Sequence, residues 1–220
     1  MMTEKLVTAI LYIAIGICIL SAGKEVYRRM TAMKEYEELE EMIPADHVER
    51  DLCVAEKKKT DSANGLSADR RFREINPDYI GILSVPALGI RYPVVQGEDN
   101  EEYLHTTFEG KSNPSGCIFL DCGNDPRMTD DISYIYGHNM KDGTMFGSLK
   151  RLKTEKWKRE DVKAYFFNDD KTLTYEFTGA DVVKTYCMKD EACKGKDLVL
   201  YTCWGGDRDS RLLATFRACS

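Results

Sequence analysis

The chain has 220 residues, of which 43% are hydrophobic and 31% charged, and a formal net charge of −6. That balance excludes a disordered polyelectrolyte. The acidic sum, with no long Lys/Arg stripe or aromatic-rich basic motif, argues against any nucleic-acid partner.

From the N-terminus, residues 6–22 carry no charge and are mostly Leu, Ile, Ala and Val. A run of about 17 such residues is at the short end of what spans a bilayer, and it predicts a membrane anchor. A cleaved signal peptide is the alternative, although Ser21-Ala22-Gly23 is a weak small-residue site. Lys5 precedes the run, whereas Lys24, Arg28, Arg29 and Lys34 follow it. Counted alone, these charges would keep the C-terminal side in the cytoplasm, but large domains are translocated despite such a bias.

Over residues 24–43, Tyr27, Met30, Met33, Tyr36, Leu39 and Ile43 recur every three or four positions, which predicts a helix that Pro44 stops. A short polar helix is expected over residues 47–58. The small, polar residues 60–69 read as a linker. The expected organisation is an anchor over residues 1–23, a helical lead-in and linker over 24–70, and a compact domain over 71–220.

Within that domain, short apolar runs alternate with turn signals, the pattern of a mainly-β barrel or sandwich. The expected strands cover residues 79–85, 89–95, 116–120, 132–136, 172–177, 181–186, 198–202 and 212–217. One inserted helix is expected over residues 145–161, where Met145, Phe146, Leu149, Leu152 and Trp157 share roughly one face.

Two of these runs end in reactive side chains. Leu198-Val199-Leu200-Tyr201-Thr202 delivers Cys203, with Arg211 following, and Ile132-Ser133-Tyr134-Ile135-Tyr136 ends in Gly137-His138-Asn139. A thiol, an imidazole and a guanidinium at strand ends are the parts of a cysteine acyl-transfer site. The order His, Cys, Arg differs from papain-like hydrolases, whose cysteine comes first and opens a helix. Among eight cysteines there is no C-x-x-C pair and no histidine at zinc-finger spacing, so neither a metal nor a cofactor is expected. Cys117/Cys122 and Cys187/Cys193 are close enough in sequence to bridge, but most of the cysteines read as small buried hydrophobes.

From Asn76 onward the chain resembles the sortases, and class B members most closely. Asn76-Pro77-Asp78-Tyr79-Ile80-Gly81 and Ile90-Arg91-Tyr92-Pro93-Val94-Val95-Gln96-Gly97 look like the family's opening strands. Asp99-Asn100-Glu101-Glu102-Tyr103-Leu104, Ser115-Gly116-Cys117-Ile118-Phe119-Leu120-Asp121 and Asn124-Asp125-Pro126 follow in family order. Tyr136-Gly137-His138-Asn139-Met140-Lys141-Asp142-Gly143-Thr144-Met145-Phe146 is similar to the family's histidine block. Two departures stand out. Val199 replaces the first threonine of the Thr-Leu-x-Thr-Cys block, and only residues 187–196 stand where class B enzymes carry a long helix-bearing insertion.

The resemblance implies a closed eight-stranded β-barrel with N-terminal helices. It implies a single-pass enzyme of the cell membrane in a Gram-positive organism, its catalytic domain extracellular. Its partners would be secreted proteins bearing a C-terminal sorting signal similar to Asn-Pro-x-Thr, and either an amine of the peptidoglycan precursor or a pilin lysine. Cys203 would be the nucleophile, His138 the general acid and base, and Arg211 the oxyanion partner. Asn100, Leu104 and Tyr136 would line the substrate groove, with Tyr201 and Thr202 beside the nucleophile. His105 has no family counterpart, and Arg208 and Arg217 are the rivals to Arg211.

Overall fold

The computed structural model describes residues 2–43, 67–185, 197–205 and 209–219. The expected polar helix at 47–58, most of the expected linker, the short segment 187–196 and Arg208 lie outside the described residues.

Helix α1 (Met2–Glu41) merges the apolar run and the amphipathic lead-in into one element. No glycine–proline break separates them, and Gly16 and Gly23 are tolerated in mid-helix at modest cost. At about 1.5 Å per residue the helix is roughly 60 Å long, so its two halves meet different surroundings. The apolar half has a window of mean hydropathy 2.4, none of it buried, and is long and apolar enough to cross a membrane. That composition fits a membrane anchor or a signal sequence.

The other half of α1 docks on the domain. Ala32, Glu35, Tyr36, Leu39 and Ile43 are buried, at the spacing of one helical face. The Tyr36 hydroxyl donates to the Gly116 carbonyl at 2.6 Å, and its ring meets Tyr92 edge-on at 5.6 Å. Glu35 accepts the Glu109 N–H at 3.0 Å and lies 3.5 Å from the Lys111 ammonium. Gly116 adopts φ +56° and sits so close to the Tyr103 and Leu104 carbonyl oxygens that a Cβ would lie 2.6 Å from each. Glycine is therefore required where the loop passes under the helix.

Helix α2 (Ala68–Ile75) begins inside the stretch read as linker. Its N-cap Ser67 accepts the Arg70 N–H, and it buries Phe72.

The domain itself is a closed barrel in the order β1-β2-β3-β4-β7-β8-β6-β5. The strands are β1 (Tyr79–Val85), β2 (Ile90–Val95), β3 (Ile118–Leu120), β4 (Ile132–Tyr136), β5 (Lys163–Phe167), β6 (Thr172–Lys184), β7 (Asp197–Cys203) and β8 (Ser210–Ala218). Closure pairs every strand on both sides and leaves no edge. The interior is filled from Leu83, Val94, Ile118, Ile135, Phe166, Leu198, Leu200, Leu212, Ala214 and Phe216.

The mainly-β barrel with its N-terminal helix is as expected, but three elements differ. Strand β5, Lys-Ala-Tyr-Phe-Phe, was not anticipated; a short apolar run without alternation carries no period of its own. The expected strands 172–177 and 181–186 are one strand, β6. The break expected between them is a β-bulge, where the pairing with β8 shifts between Phe177 and Gly179. The inserted helix is broken. Met145 has φ +51°, outside the helical region, and the segment continues as a 3₁₀ turn (Gly147–Lys150), the short helix α3 (Arg151–Thr154) and a second 3₁₀ turn (Arg159–Asp161). Trp157 folds back, and its indole N–H donates to the Arg151 carbonyl at 3.0 Å.

Tyr36→Phe removes the donor that satisfies the Gly116 carbonyl. It is expected to destabilise the detergent-solubilised chain by about 1–3 kcal/mol. A chemical-denaturation midpoint equal to that of the unmodified chain would show that the docked half of α1 contributes little.

Candidate active site

Strand β7 lies between β4 and β8 and carries the thiol. Its pairing with β8 is antiparallel, with Leu198 opposite Phe216, Leu200 opposite Ala214, Thr202 opposite Leu212 and Cys203 opposite Arg211. Directly opposed residues share a face, and faces alternate along a strand. Leu198, Leu200, Thr202, Leu212, Ala214 and Phe216 are all buried. Tyr201, Cys203, Arg211 and Leu213 therefore fall together on the outer face. Cβ atoms so opposed lie about 5 Å apart, so Cys203 and Arg211 leave the barrel as neighbours. Arg217 pairs instead with Asp197 at the far end of the strands, 3.3 Å from its carboxylate, and lies well away from Cys203.

Pairing between β4 and β7 is parallel, with Ile132 opposite Asp197 and Tyr136 opposite Tyr201. Both strands thus run toward the same end of the barrel, and the residues that follow them emerge side by side. Gly137 makes the exit from β4. A Cβ there would lie 2.4 Å from Ile118 and 2.8 Å from Phe146, so only glycine lets the chain pass between them. Its N–H donates to the Tyr201 carbonyl at 3.2 Å, and its carbonyl accepts the Thr202 hydroxyl at 2.7 Å. The next residue is His138. Beyond it, the Asn139 amide donates to the Cys203 carbonyl at 2.9 Å. The loop bearing the imidazole is in this way bonded directly to the residue bearing the thiol.

His138 Nε2 lies 2.7 Å from the Leu104 carbonyl oxygen. A carbonyl can only accept, so Nε2 carries the hydrogen and Nδ1 is the nitrogen left to exchange a proton. The imidazole's side-chain bond therefore goes to Leu104 rather than to the Cys203 thiol. The His105 ring stacks on that of His138 with centroids 5.9 Å apart and planes 18° apart.

Of the remaining expected site residues, Tyr136 and Tyr201 lie side by side on the outer face, and Asn100 is tied to Tyr136 through Asp121. Tyr136 meets Tyr201 edge-on at 4.9 Å and Phe119 in a stack at 5.2 Å. Burial raises the Tyr201 phenol pKa, while its hydrogen bond to Arg211 works in the opposite direction. Asn100 donates to Asp121 at 2.9 Å. Leu104 is half-buried beside His138. Thr202 points inward, 2% exposed, with its hydroxyl committed to Gly137.

Sequence reasoning passed over three contributors: the Leu104 carbonyl, the His105 ring and the Asn139 amide. Asn139 could have been singled out by its place beside His138. The carbonyl has no signal in side-chain identity. Among the described residues there is no cluster of three or more His, Cys, Asp or Glu able to hold a metal ion.

The cysteines do not follow the expectation that most are buried. Of those described, Cys117 is buried, whereas Cys18, Cys122, Cys203 and Cys219 are exposed, and none forms a disulfide. Cys122 lies in the loop after β3 and Cys219 just beyond β8, where no second layer covers them. Burial pushes the Cys117 thiol up to about 12.

A profile of the sortase domain matches residues 83–217. The chain belongs to the sortase family. Sortase B of Listeria monocytogenes is 38% identical over 94 residues, which are 42% of this chain and 38% of that relative. The match thus spans well under half the length of this curated relative. The structure of sortase B from Bacillus anthracis in complex with AAEK1 superposes with a TM-score of 0.68 at 21% identity, covering 89% of this chain and 99% of that one. A Streptococcus pyogenes class B sortase involved in pilus biogenesis superposes with a TM-score of 0.60 at 23% identity, covering 68% and 96%. At these identities the structures share the fold, and that fold is the sortase barrel of class B.

Alkylation at pH 8, read by mass spectrometry on the native chain, is expected to modify Cys203 and Cys122 and to spare Cys117. The buried thiol ionises only near its raised pKa, so its labelling rises as pH approaches about 12. Labelling of Cys117 as fast as Cys203 at pH 8 would contradict this packing.

Proposed function

We propose that the chain is a membrane-anchored cysteine transpeptidase that cleaves a C-terminal sorting signal and transfers the new carboxyl end to an amine. The observation that carries this reading is the register that sets Cys203 opposite Arg211 while Asn139 bonds the His138 loop to Cys203. A nucleophile, a proton carrier and a fixed cation then surround one substrate carbonyl.

In this mechanism the Cys203 thiol gives its proton to the His138 imidazole, and the resulting thiolate attacks the carbonyl before the scissile bond. Negative charge grows on the carbonyl oxygen, and the Arg211 guanidinium donates to it; a preorganised donor acts most strongly on charge that appears only in the transition state. The tetrahedral intermediate collapses, the C–N bond breaks, and His138 protonates the leaving amine. A thioacyl-enzyme remains. The incoming amine attacks that thioester, gives its excess proton to His138, and the sulfur leaves. The Leu104 carbonyl keeps Nε2 protonated, so that Nδ1 performs both transfers.

Asn100, Leu104, Tyr136 and Tyr201 would form the groove wall for a signal similar to Asn-Pro-x-Thr. Thr202 would act from behind, steadying the Gly137 turn. The continuity of α1 from the apolar run into the docked face supports an anchor over a cleaved signal peptide, with the catalytic domain outside a Gram-positive cell. The acceptor proposed is an amine of the cell-wall precursor. A pilin lysine is the second reading, favoured by the shortness of the segment before β7 in the sequence.

Cys203→Ala is expected to abolish cleavage of a fluorogenic Asn-Pro-x-Thr peptide and to leave the circular-dichroism spectrum unchanged; residual turnover above background would remove Cys203 from the nucleophile role. Arg211→Lys replaces a planar fork of donors with a point charge. It is expected to lower kcat by about 10²–10³-fold, and turnover within a factor of about two of the parent would reject the oxyanion role.

A further inference from the structure

Asp121 follows β3 directly and is bonded on every side. Its N–H donates to the Tyr134 carbonyl at 2.9 Å, and its own carbonyl accepts the Gln96 amide at 2.8 Å. One side-chain oxygen, Oδ1, accepts the Gly123 N–H at 2.8 Å. The other, Oδ2, accepts both the Asn100 amide at 2.9 Å and the Tyr136 hydroxyl at 2.6 Å. The Asn100 side-chain oxygen Oδ1 in turn accepts the Cys122 N–H at 2.8 Å. A single carboxylate oxygen thereby ties the loop after β2 to the outer face of β4. From Tyr136 the connection runs edge-on to Tyr201, which hydrogen-bonds Arg211.

We propose that Asp121 is a positioning residue whose carboxylate holds Asn100 and Tyr136 as a pre-formed wall of the signal-binding groove. The proposal rests on the sortase reading above and adds a residue that the mechanism did not use. A peptide entering this groove meets side chains already ordered, so less conformational entropy is lost on binding. The Tyr136 hydrogen is committed to Asp121, which leaves the phenol oxygen as an acceptor for a peptide donor. Burial and the Asp121 carboxylate both raise the Tyr136 pKa, so the phenol stays protonated at neutral pH.

The geometry requires a carboxylate rather than an amide. All three side-chain partners are donors. An asparagine of the same shape has one acceptor oxygen, and its NH₂ would face either Gly123 N–H or the Asn100–Tyr136 pair.

The test is Asp121→Asn in the full chain in detergent, assayed with the fluorogenic Asn-Pro-x-Thr peptide. KM is expected to rise about tenfold, the loss of one bond to a charged group, while kcat changes less than about twofold. The rate at which a methanethiosulfonate reagent labels Cys203 is expected to stay the same. Tyr136→Phe is expected to raise KM in the parent and to add little in the Asp121→Asn background. An unchanged KM, a loss confined to kcat with slower thiol labelling, or additive effects of the two substitutions would each overturn the proposal.

If the parent turns over no sorting-signal peptide, the sortase reading fails. Asp121 is then judged by proton NMR. The parent is expected to show a slowly exchanging hydroxyl resonance that Tyr136→Phe removes and Asp121→Asn shifts. A resonance insensitive to Asp121→Asn would overturn the proposed clamp.

Discussion

The register of β7 between two unlike neighbours is the constraint from which the site follows. On one side β7 pairs parallel with β4, and on the other antiparallel with β8. A slip of one residue on either side would turn Cys203 into the barrel and bring Thr202 out. Closure of the barrel opposes such a slip, because every strand is held from both sides. The buried Asp197 carboxylate and Arg217 pin the opposite end of the same ladder. The outward placement of thiol and guanidinium is thus paid for by the apolar residues that alternate with them.

The loop between β2 and β3 joins helix α1 to the imidazole. At one end Gly116 receives the Tyr36 hydroxyl from α1, and at the other Leu104 receives the His138 N–H. The Cys117 N–H donates to the Tyr103 carbonyl at 2.9 Å, which folds the two ends together. A helix whose far half suits a bilayer is therefore linked, through one loop, to the backbone atom that sets the histidine tautomer. The close approach at Gly116 leaves no space for a side chain beside the Tyr103 and Leu104 carbonyls.

Reactivity is separated from packing by depth. Cys117 lies in the core with its thiol ionisation suppressed, while Cys203, on the last residue of its strand, is exposed beside a cation. Tyrosines show a parallel division. Tyr36 and Tyr103 are buried and bonded within the framework, whereas Tyr136 and Tyr201 keep one ring face on the outer wall. Each phenol on that wall is attached to a charged group, Asp121 or Arg211, so electrostatics adds to packing in ordering the wall.

Local pattern was enough to read much of this molecule. The apolar N-terminal run, the helical spacing of Tyr36, Leu39 and Ile43, and the runs that became β1, β2, β4, β7 and β8 all carry periodicity that neighbours only reinforce. The strand ends that carry Cys203 and Arg211, and the turn that carries His138, were legible for the same reason: each stands at the end of a strong run. What periodicity could not supply was set by contacts distant in sequence. Lys163 to Phe167 became a strand because β1 and β6 pair with it on both sides. The segment after Met145 lost its expected helix because Asn139 bridges to Met145 and Tyr92 accepts the Met145 N–H, which holds that residue at positive φ. The Leu104 carbonyl on His138 and the Asp121 clamp on Tyr136 depend on backbone positions and on registers between strands, which no single run of residues contains. Side-chain chemistry and burial tendency belong to the local sequence, whereas which groups meet is decided only when the sheet closes, because closure alone determines what each strand end faces.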